Sequence, residues 1–197
     1  MTNRRELLEL LVLFGASSSL QAQPADHSAE KETAMSLEAI VRRLQDRVDI
    51  EELLARYCRH ADQLDADGMA ACFTDACVVA YVPASMAPPA RGKKELLGFL
   101  REYFPNSVSS SHYITNIELL FDTSDMVTAY CYMYSWQRFK GYPAAADCHR
   151  YGRYEFRIER TGEGWRMSRL NLLSAGEYGG TRIGEQLNHP WPPRFET

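Results

Sequence analysis

The stretch that decides the fold is Asp49–Tyr81, DIEELLARYCRHADQLDADGMAACFTDACVVAY. Its first half carries apolar side chains at helical spacing, which predicts an amphipathic helix; they are Leu53, Leu54, Tyr57, Cys58, Ala61 and Leu64. Asp62 follows near the end of that helix, and a second short helix is predicted for roughly 66–72. A β-type run from Cys77 to Val82 comes next. Polar groups beside a core-facing stripe are either satisfied core residues or the floor of a site.

Upstream, the helical pattern extends back to Ser36, which is predicted as the N-cap, with Glu38 in the first turn. Apolar residues continue at helical spacing through this part; they are Leu37, Ile40, Val41, Leu44 and Val48. The sequence therefore predicts one long helix from Ser36 to about Gln63.

Residues 1–22 contain a twin arginine, Arg4-Arg5, before an apolar stretch. This pattern resembles a bacterial twin-arginine export signal and predicts a periplasmic protein. Glu6 and Glu9 are unfavourable in such a signal, so an amphipathic helix of a cytoplasmic protein is the alternative. The stretch is too short and interrupted for a membrane span. Residues 1–35 are predicted to be this segment and a polar linker, ahead of a domain over 36–175.

Downstream of the opening stretch, Pro83–Arg91 is predicted to be a loop and Gly92–Tyr103 a third helix that ends before Pro105. Four long β-type runs follow with turn residues between them; they cover 109–121, 126–140, 147–160 and 164–175. Sequential strands with short turns indicate an antiparallel meander. Helices followed by a sheet give an α+β fold. Residues 176–197, rich in Gly and Pro, are predicted to be a tail with little regular structure.

Composition excludes some classes of function. A formal net charge of −4 gives no reason to expect a nucleic-acid partner. The 11 Tyr and 8 Phe either line an apolar pocket or belong to the core and strands. The five Cys show neither CxxC nor zinc-finger spacing, which favours buried free thiols over a disulfide framework.

Five phrases, in this order, resemble the SnoaL-like branch of the nuclear transport factor 2-like superfamily, over about Leu37 to Ala175. They are DIEELLARYCRHAD (49–62), DADGMAACFTDACV (65–78), RGKKELLGFL (91–100), SHYITN (111–116) and GRYEFRIERTGEGWRMSR (152–169). The resemblance implies a cone-shaped, curved antiparallel sheet wrapped around a long N-terminal helix, with a deep apolar pocket. It also implies a homodimer or homotrimer and a cofactor-free elimination or isomerisation, although some members only bind ligands.

In the dehydratase-like members of that family, a Tyr and an Asp near the end of the first helix act with a His on a strand. The matching residues here are Tyr57, Asp62 and His112. A His suits acid or base catalysis near neutral pH, and a carboxylate can orient it. A phenol can donate a hydrogen bond to a leaving oxygen. Each residue taken alone also fits a structural role.

Five further residues are candidates for substrate binding. Alternation along a strand places Asn116 on the face of His112. Tyr132 and Tyr134 belong to an aromatic row that either lines the pocket or forms cross-strand pairs. Arg153 and Arg169 either hold an anionic group inside the cone or are exterior charges.

A metal site built from His60, Asp62, His112 and His149 is the competing chemical idea, but nothing in their spacing demands it. The prediction is therefore a lyase without metal or cofactor, which acts on a hydrophobic aromatic or polycyclic small molecule, as in aromatic compound catabolism. The reaction is a dehydration or a related elimination, with a deformylating reaction as a variant. The alternatives are an isomerase or cyclase with the same residues, and a non-catalytic module that binds an apolar ligand.

Overall fold

The helix predicted from the opening stretch is the longest one in the described parts of the chain, because its apolar spacing is continuous. A computed structural model of the protein describes residues 36–82 and 89–179. Within them lie three α-helices and six β-strands: α1 (Leu37–Asp62), α2 (Ala66–Ala71), β1 (Phe73–Val82), β2 (Ala90–Arg91), α3 (Lys93–Tyr103), β3 (Ser107–Phe121), β4 (Met126–Phe139), β5 (Cys148–Thr161) and β6 (Gly164–Tyr178). The predicted export signal and linker, and 180–197 of the predicted tail, lie outside these ranges.

The two halves of α1 differ in burial. The second half carries a stripe that packs into the core; it consists of Ile50, Leu53, Leu54, Tyr57, Cys58 and Ala61. In the first half the apolar side chains are exposed, with Leu37 at 72% and Leu44 at 59%. The predicted single helix is confirmed. Its apolar stripe lies in the second half, whereas the first half contacts the sheet through Asp46, which binds Trp165 and Arg160.

The chain reverses sharply after α1. Leu64 adopts a positive φ of 55°, which ends the helical conformation. Asp65 then caps α2, since its side chain accepts a hydrogen bond from the N–H of Gly68 at 2.9 Å. Strand β1 begins at Phe73, four residues before the prediction, and its register shifts between Phe73 and Val78. After this turn, Phe73 at the start of β1 packs against Tyr57 of α1, with 5.9 Å between the ring centroids.

The six strands form one curved, unclosed sheet in the order β2-β1-β6-β5-β4-β3. The predicted meander is confirmed, because β3, β4, β5 and β6 pair antiparallel in sequence order. One pairing differs from the antiparallel prediction: β1 runs parallel to β6. Short turns fix the direction of consecutive strands only, and these two are far apart in sequence. Strand β6 also continues to Tyr178, beyond the predicted end at Ala175. The α+β fold class is confirmed.

Strand alternation gives the sheet an inner face, toward the helices, and an outer face. On β4 the inner face carries the buried Ala129, Cys131 and Met133, whereas Tyr130 and Tyr132 are exposed between them. Helix α1 packs against β3 and β6, and α3 packs against β1. The core lies between these helices and the inner face. All five Cys are buried and free, as predicted.

None of the helices in the described parts of the chain is long and apolar enough to cross a membrane.

Candidate active site

A cavity of about 280 Å³ opens between the helices and the inner face of the sheet. Most of its walls are apolar or aromatic, and the polar groups are few. Its lining includes Tyr57 and Ala61 from α1, Val79 and Tyr81 from β1, Phe99, Leu100 and Tyr103 from α3, His112 from β3, Met133, Ser135 and Gln137 from β4, Arg150 and Tyr154 from β5, and Leu172 from β6. An apolar cavity with a few convergent polar groups is the usual form of a small-molecule site.

Asp62 and His112 meet at the edge of this cavity. Asp62 Oδ1 lies 2.7 Å from Nδ1 of His112, and Asp62 Oδ2 accepts a hydrogen bond from the backbone N–H of His112 at 3.2 Å. Ser110 Oγ is 3.3 Å from the same ring nitrogen. Of the Asp–His pair, only His112 is among the described residues that line the cavity. Since a carboxylate only accepts, the contact places the proton on Nδ1 and leaves Nε2 as the nitrogen able to exchange protons.

Tyr57 brings a phenol to the same cavity from α1. Its side chain is buried, and its ring makes edge contacts with Phe73, Tyr154 and Phe156 at centroid distances of 5.9 to 6.1 Å. Burial raises the pKa of Tyr57 well above its usual value, and the neighbouring Tyr154 and Tyr81 raise it further. The phenol therefore stays protonated at neutral pH and can donate a hydrogen bond, which is the role predicted for it.

Arg150 is a cavity residue that the sequence analysis missed. Its guanidinium donates from Nε and Nη2 to Glu177 Oε2, each at 3.2 Å, and its side chain is 13% exposed. On β5 the buried residues alternate from Cys148 to Ile158, which places even-numbered residues on the inner face. The same alternation, counted from Phe156, was the signal that would have identified Arg150.

Two other polar side chains shape the wall beside α3. Tyr103 donates its hydroxyl hydrogen bond to Gln137 Oε1 at 2.7 Å. Ser135 is buried on β4 between His112 and Arg150, since the β-ladder pairs His112 with Ser135 and Ser135 with Arg150. A polar row therefore crosses three strands on the inner face.

The predicted substrate-binding residues fall elsewhere. Tyr132, Tyr134, Arg153 and Arg169 lie on the outer face, opposite to the cavity, because each is one residue out of phase with the buried set. Asn116 also leaves the face of His112: it adopts a φ of 55° at a β-bulge between Thr115 and Glu118, which breaks the predicted alternation.

A second depression, of about 360 Å³, does collect three of these residues. Asn116, Tyr132 and Arg153 line it together with exposed neighbours on the outer face. The structure thus brings them together, but away from His112. The aromatic row forms cross-strand pairs, as one of the two alternatives predicted: Tyr134 lies 5.8 Å from Tyr113 and 5.3 Å from Tyr151 between ring centroids.

Of the four side chains considered for a metal site, Asp62 and His112 are in contact, but His60 and His149 lie elsewhere. His60 Nδ1 contacts Asp65 Oδ2 at 2.9 Å. His149 lies on the outer face, where its Nδ1 is 2.7 Å from the hydroxyl of Tyr134. Over 36–82 and 89–179, no group of three or more His, Cys, Asp or Glu side chains could hold a metal ion.

Comparison with known proteins identifies the family. The family model that describes the SnoaL-like domain matches residues 42–171 of this chain. This chain belongs to the SnoaL-like family. The matched part of the SnoaL-like chain contains Tyr57, Asp62, His112 and Arg150, but a family match does not assign roles to them.

Several solved structures share the fold of this SnoaL-like protein. One is a protein of Novosphingobium aromaticivorans provisionally assigned as a scytalone dehydratase (21% identity, TM-score 0.65, 71% of this chain and 91% of that chain). Another, from the same organism, is provisionally assigned as an aromatic ring hydroxylase (23% identity, TM-score 0.66, 72% of this chain and 97% of that chain). A third is a hexachlorocyclohexane dehydrochlorinase of Novosphingobium barchaimii (18% identity, TM-score 0.62, 71% of this chain and 93% of that chain). No protein with a curated description matches the chain in sequence.

Proposed function

We propose that this SnoaL-like protein is a lyase that catalyses an elimination, such as a dehydration, on a hydrophobic aromatic small molecule. The observation that carries the proposal is the Asp62–His112 pair, because its 2.7 Å contact presents His112 to a mostly apolar cavity. Two of the proteins that share the fold are named for eliminations, a dehydratase and a dehydrochlorinase. That likeness supports the reaction class, and the side chains supply the chemistry.

The proposed reaction uses His112 twice. Nε2 of His112 removes a proton from a carbon of the substrate, and the electron pair of that C–H bond forms the new double bond. The bond to a hydroxyl on the adjacent carbon breaks, and the departing oxygen receives the proton from the imidazolium, so that water leaves and His112 is restored. Asp62 stabilises the imidazolium in between.

Tyr57 would assist the departing oxygen. Its buried phenol stays protonated, so it can donate a hydrogen bond to that oxygen as negative charge develops. The apolar walls strengthen this interaction, because electrostatic contacts are less screened in a cavity that excludes water. Ala61 and Met133 are among those walls.

The experiment compares turnover of aryl substrates that carry a hydroxyl next to an acidic C–H group. Loss of one water is followed by mass spectrometry in the unmodified protein, His112→Ala and Asp62→Asn. Both variants should lower kcat/KM by about 10²- to 10⁴-fold, the usual contribution of acid–base catalysis. His149→Ala is the matched control, since His149 lies on the outer face, and it should keep full activity.

Each class of outcome is distinct. Dehydrated product that depends on His112 supports the lyase. A product of unchanged mass that depends on His112 supports the isomerase or cyclase alternative. Turnover that survives His112→Ala refutes the proposed role of His112. Tight binding of aromatic ligands without any turnover indicates the ligand-binding module.

A further inference from the structure

Arg150 places a permanent positive charge in a cavity that is otherwise mainly apolar. Among the described residues that line the cavity it is the only Arg or Lys. Burying a charge is costly unless it is paired, and Glu177 supplies the partner at 3.2 Å. A buried ion pair is nevertheless weak evidence of a stabilising role, because apolar residues of similar volume often serve as well. Its position on the cavity wall therefore calls for another explanation.

The β-ladder fixes Arg150 relative to the proposed base. His112 pairs with Ser135 and Ser135 pairs with Arg150, all on the inner face. Directly opposite Cα atoms of antiparallel strands are about 4.5–5.5 Å apart, so the Cα atoms of His112 and Arg150 are separated by about 10 Å. An imidazole and a guanidinium thus stand two strands apart along one wall, roughly the span of a small aromatic molecule.

The positive charge of Arg150 acts on the pKa values of tyrosines that line the cavity. Burial raises the pKa of Tyr81 to about 12, and the positive charge of Arg150 acts in the opposite direction on it. Burial also raises the pKa values of Tyr103 and Tyr154, and there too the positive charge of Arg150 acts to lower them. These three phenols come from β1, α3 and β5 and line the same cavity as Arg150.

We propose that Arg150 binds a negatively charged oxygen of the substrate while His112 acts at the other end of the same molecule. The substrate class is then an aromatic acid or phenol: an apolar ring system that carries a carboxylate or phenolate. A guanidinium suits this task because its planar donors match an anionic oxygen pair and it remains charged at all relevant pH values. As a statement about the substrate, this inference rests on the proposed lyase function; as a statement about binding, it can be tested alone.

Calorimetric titration with 2-naphthoate and 2-naphthamide tests the binding. The two probes share the ring and nearly the same shape, but only the acid is charged. The unmodified protein should bind the acid at least about 10-fold more tightly, since a hydrogen bond to a charged group commonly contributes a factor of that order or more. Arg150→Met should weaken the acid by about 10- to 100-fold and the amide by less than about 3-fold.

Matched variants separate binding from structure. Glu177→Gln breaks the ion pair but keeps Arg150, so it should retain the preference for the acid. If the ion pair served only to join β5 to β6, Glu177→Gln and Arg150→Met would reduce binding of the acid equally. Arg150→Lys should restore part of the preference. If circular dichroism shows that Arg150→Met does not fold, two measurements test the proposal in its place. They are the preference of the unmodified protein for 2-naphthoate over 2-naphthamide and the reduction of that preference in Arg150→Lys.

The outcomes that overturn the proposal are equally direct. They are failure of the unmodified protein to bind either 2-naphthoate or the phenolate of 2-naphthol, binding of the acid without any preference over the amide, or a preference that survives Arg150→Met. Titration with 2-naphthol, whose absorbance shifts when it is bound as the phenolate, distinguishes the phenol from the acid as the source of the oxygen. His112→Ala should leave the preference intact, so loss of the lyase proposal and loss of this one are told apart.

Discussion

Replacing Asp62 by asparagine should change which ring nitrogen of His112 carries the proton. The carboxylate has two acceptor oxygens, and the structure uses both: Oδ1 for Nδ1 of the ring at 2.7 Å and Oδ2 for the backbone N–H at 3.2 Å. Both partners must therefore be donors, so Nδ1 of the imidazole carries a proton. The geometry predicts this position of the proton without any substrate.

An asparagine cannot satisfy both contacts. With its oxygen toward the ring, its NH₂ group faces the backbone N–H of His112, donor against donor. With its oxygen toward the backbone, the NH₂ group donates to Nδ1 and the ring proton moves to Nε2. A hydrogen bond to a charged group contributes about 1.5–3 kcal/mol, and the 30% exposure of the Asp62 side chain favours the lower end. We expect the free energy of unfolding to fall by about 1–2 kcal/mol.

Nitrogen-15 NMR of the imidazole and urea denaturation are the measurements. The unmodified protein should show the Nδ1–H tautomer, and Asp62→Asn should show the Nε2–H tautomer or a mixture. Ser110→Ala is the control, because Ser110 Oγ lies 3.3 Å from Nδ1 and is the weaker contact; it should leave the tautomer unchanged. An Nε2–H tautomer in the unmodified protein would refute the orientation assigned to His112.

Two further predictions concern stability. Hydrogen bonds from Arg138 hold the pKa of Asp147 below its usual range. The stability that this contact adds is present above the unfolded-state pKa of about 3.9 and is lost as the pH falls through the folded-state pKa. The midpoint of urea denaturation should therefore decline at acid pH, and Asp147→Asn should make that decline shallower. An equally steep decline in the variant would contradict the prediction. Gly152→Ala should destabilise the protein by about 1–3 kcal/mol, because its Cβ would overlap the carbonyl oxygen of Leu173. Gly98→Ala, in open space on α3, is the control and should be neutral or gain up to about 1 kcal/mol; equal effects of the two would count against the overlap.

The fold followed from periodicity wherever the pattern was local. The spacing of apolar residues predicted α1, and four long β-type runs with short turns predicted β3 to β6. The parallel pairing of β1 with β6 was not predictable in this way, because strands distant in sequence have no turn to set their direction. The start of β1 at Phe73 was also missed, since an irregular register there separates Phe73 from the pattern that begins at Cys77.

Within the site, the predicted residues divide by the source of the inference. Tyr57 and His112, drawn from the family resemblance, both line the cavity, and Asp62 contacts His112. Arg153, chosen as a charge on a late strand, lies on the outer face because a shift of one residue reverses the side of a strand. Asn116 leaves the face of His112 for a related reason, since an alternation pattern does not reveal a bulge with a positive φ.

Few of the described groups that line the cavity can move a proton at neutral pH, which favours His112 as the acid–base group. Burial raises the pKa values of the four tyrosines that line the cavity, so they donate hydrogen bonds but do not act as bases; they are Tyr57, Tyr81, Tyr103 and Tyr154. Arg150 remains protonated. Glu95 also lines the cavity, but it is exposed and its carboxylate accepts from the backbone N–H of Arg91 at 2.8 Å. Among the described residues that line the cavity, this leaves His112, with Asp62 on Nδ1, as the group suited to the proposed proton transfers.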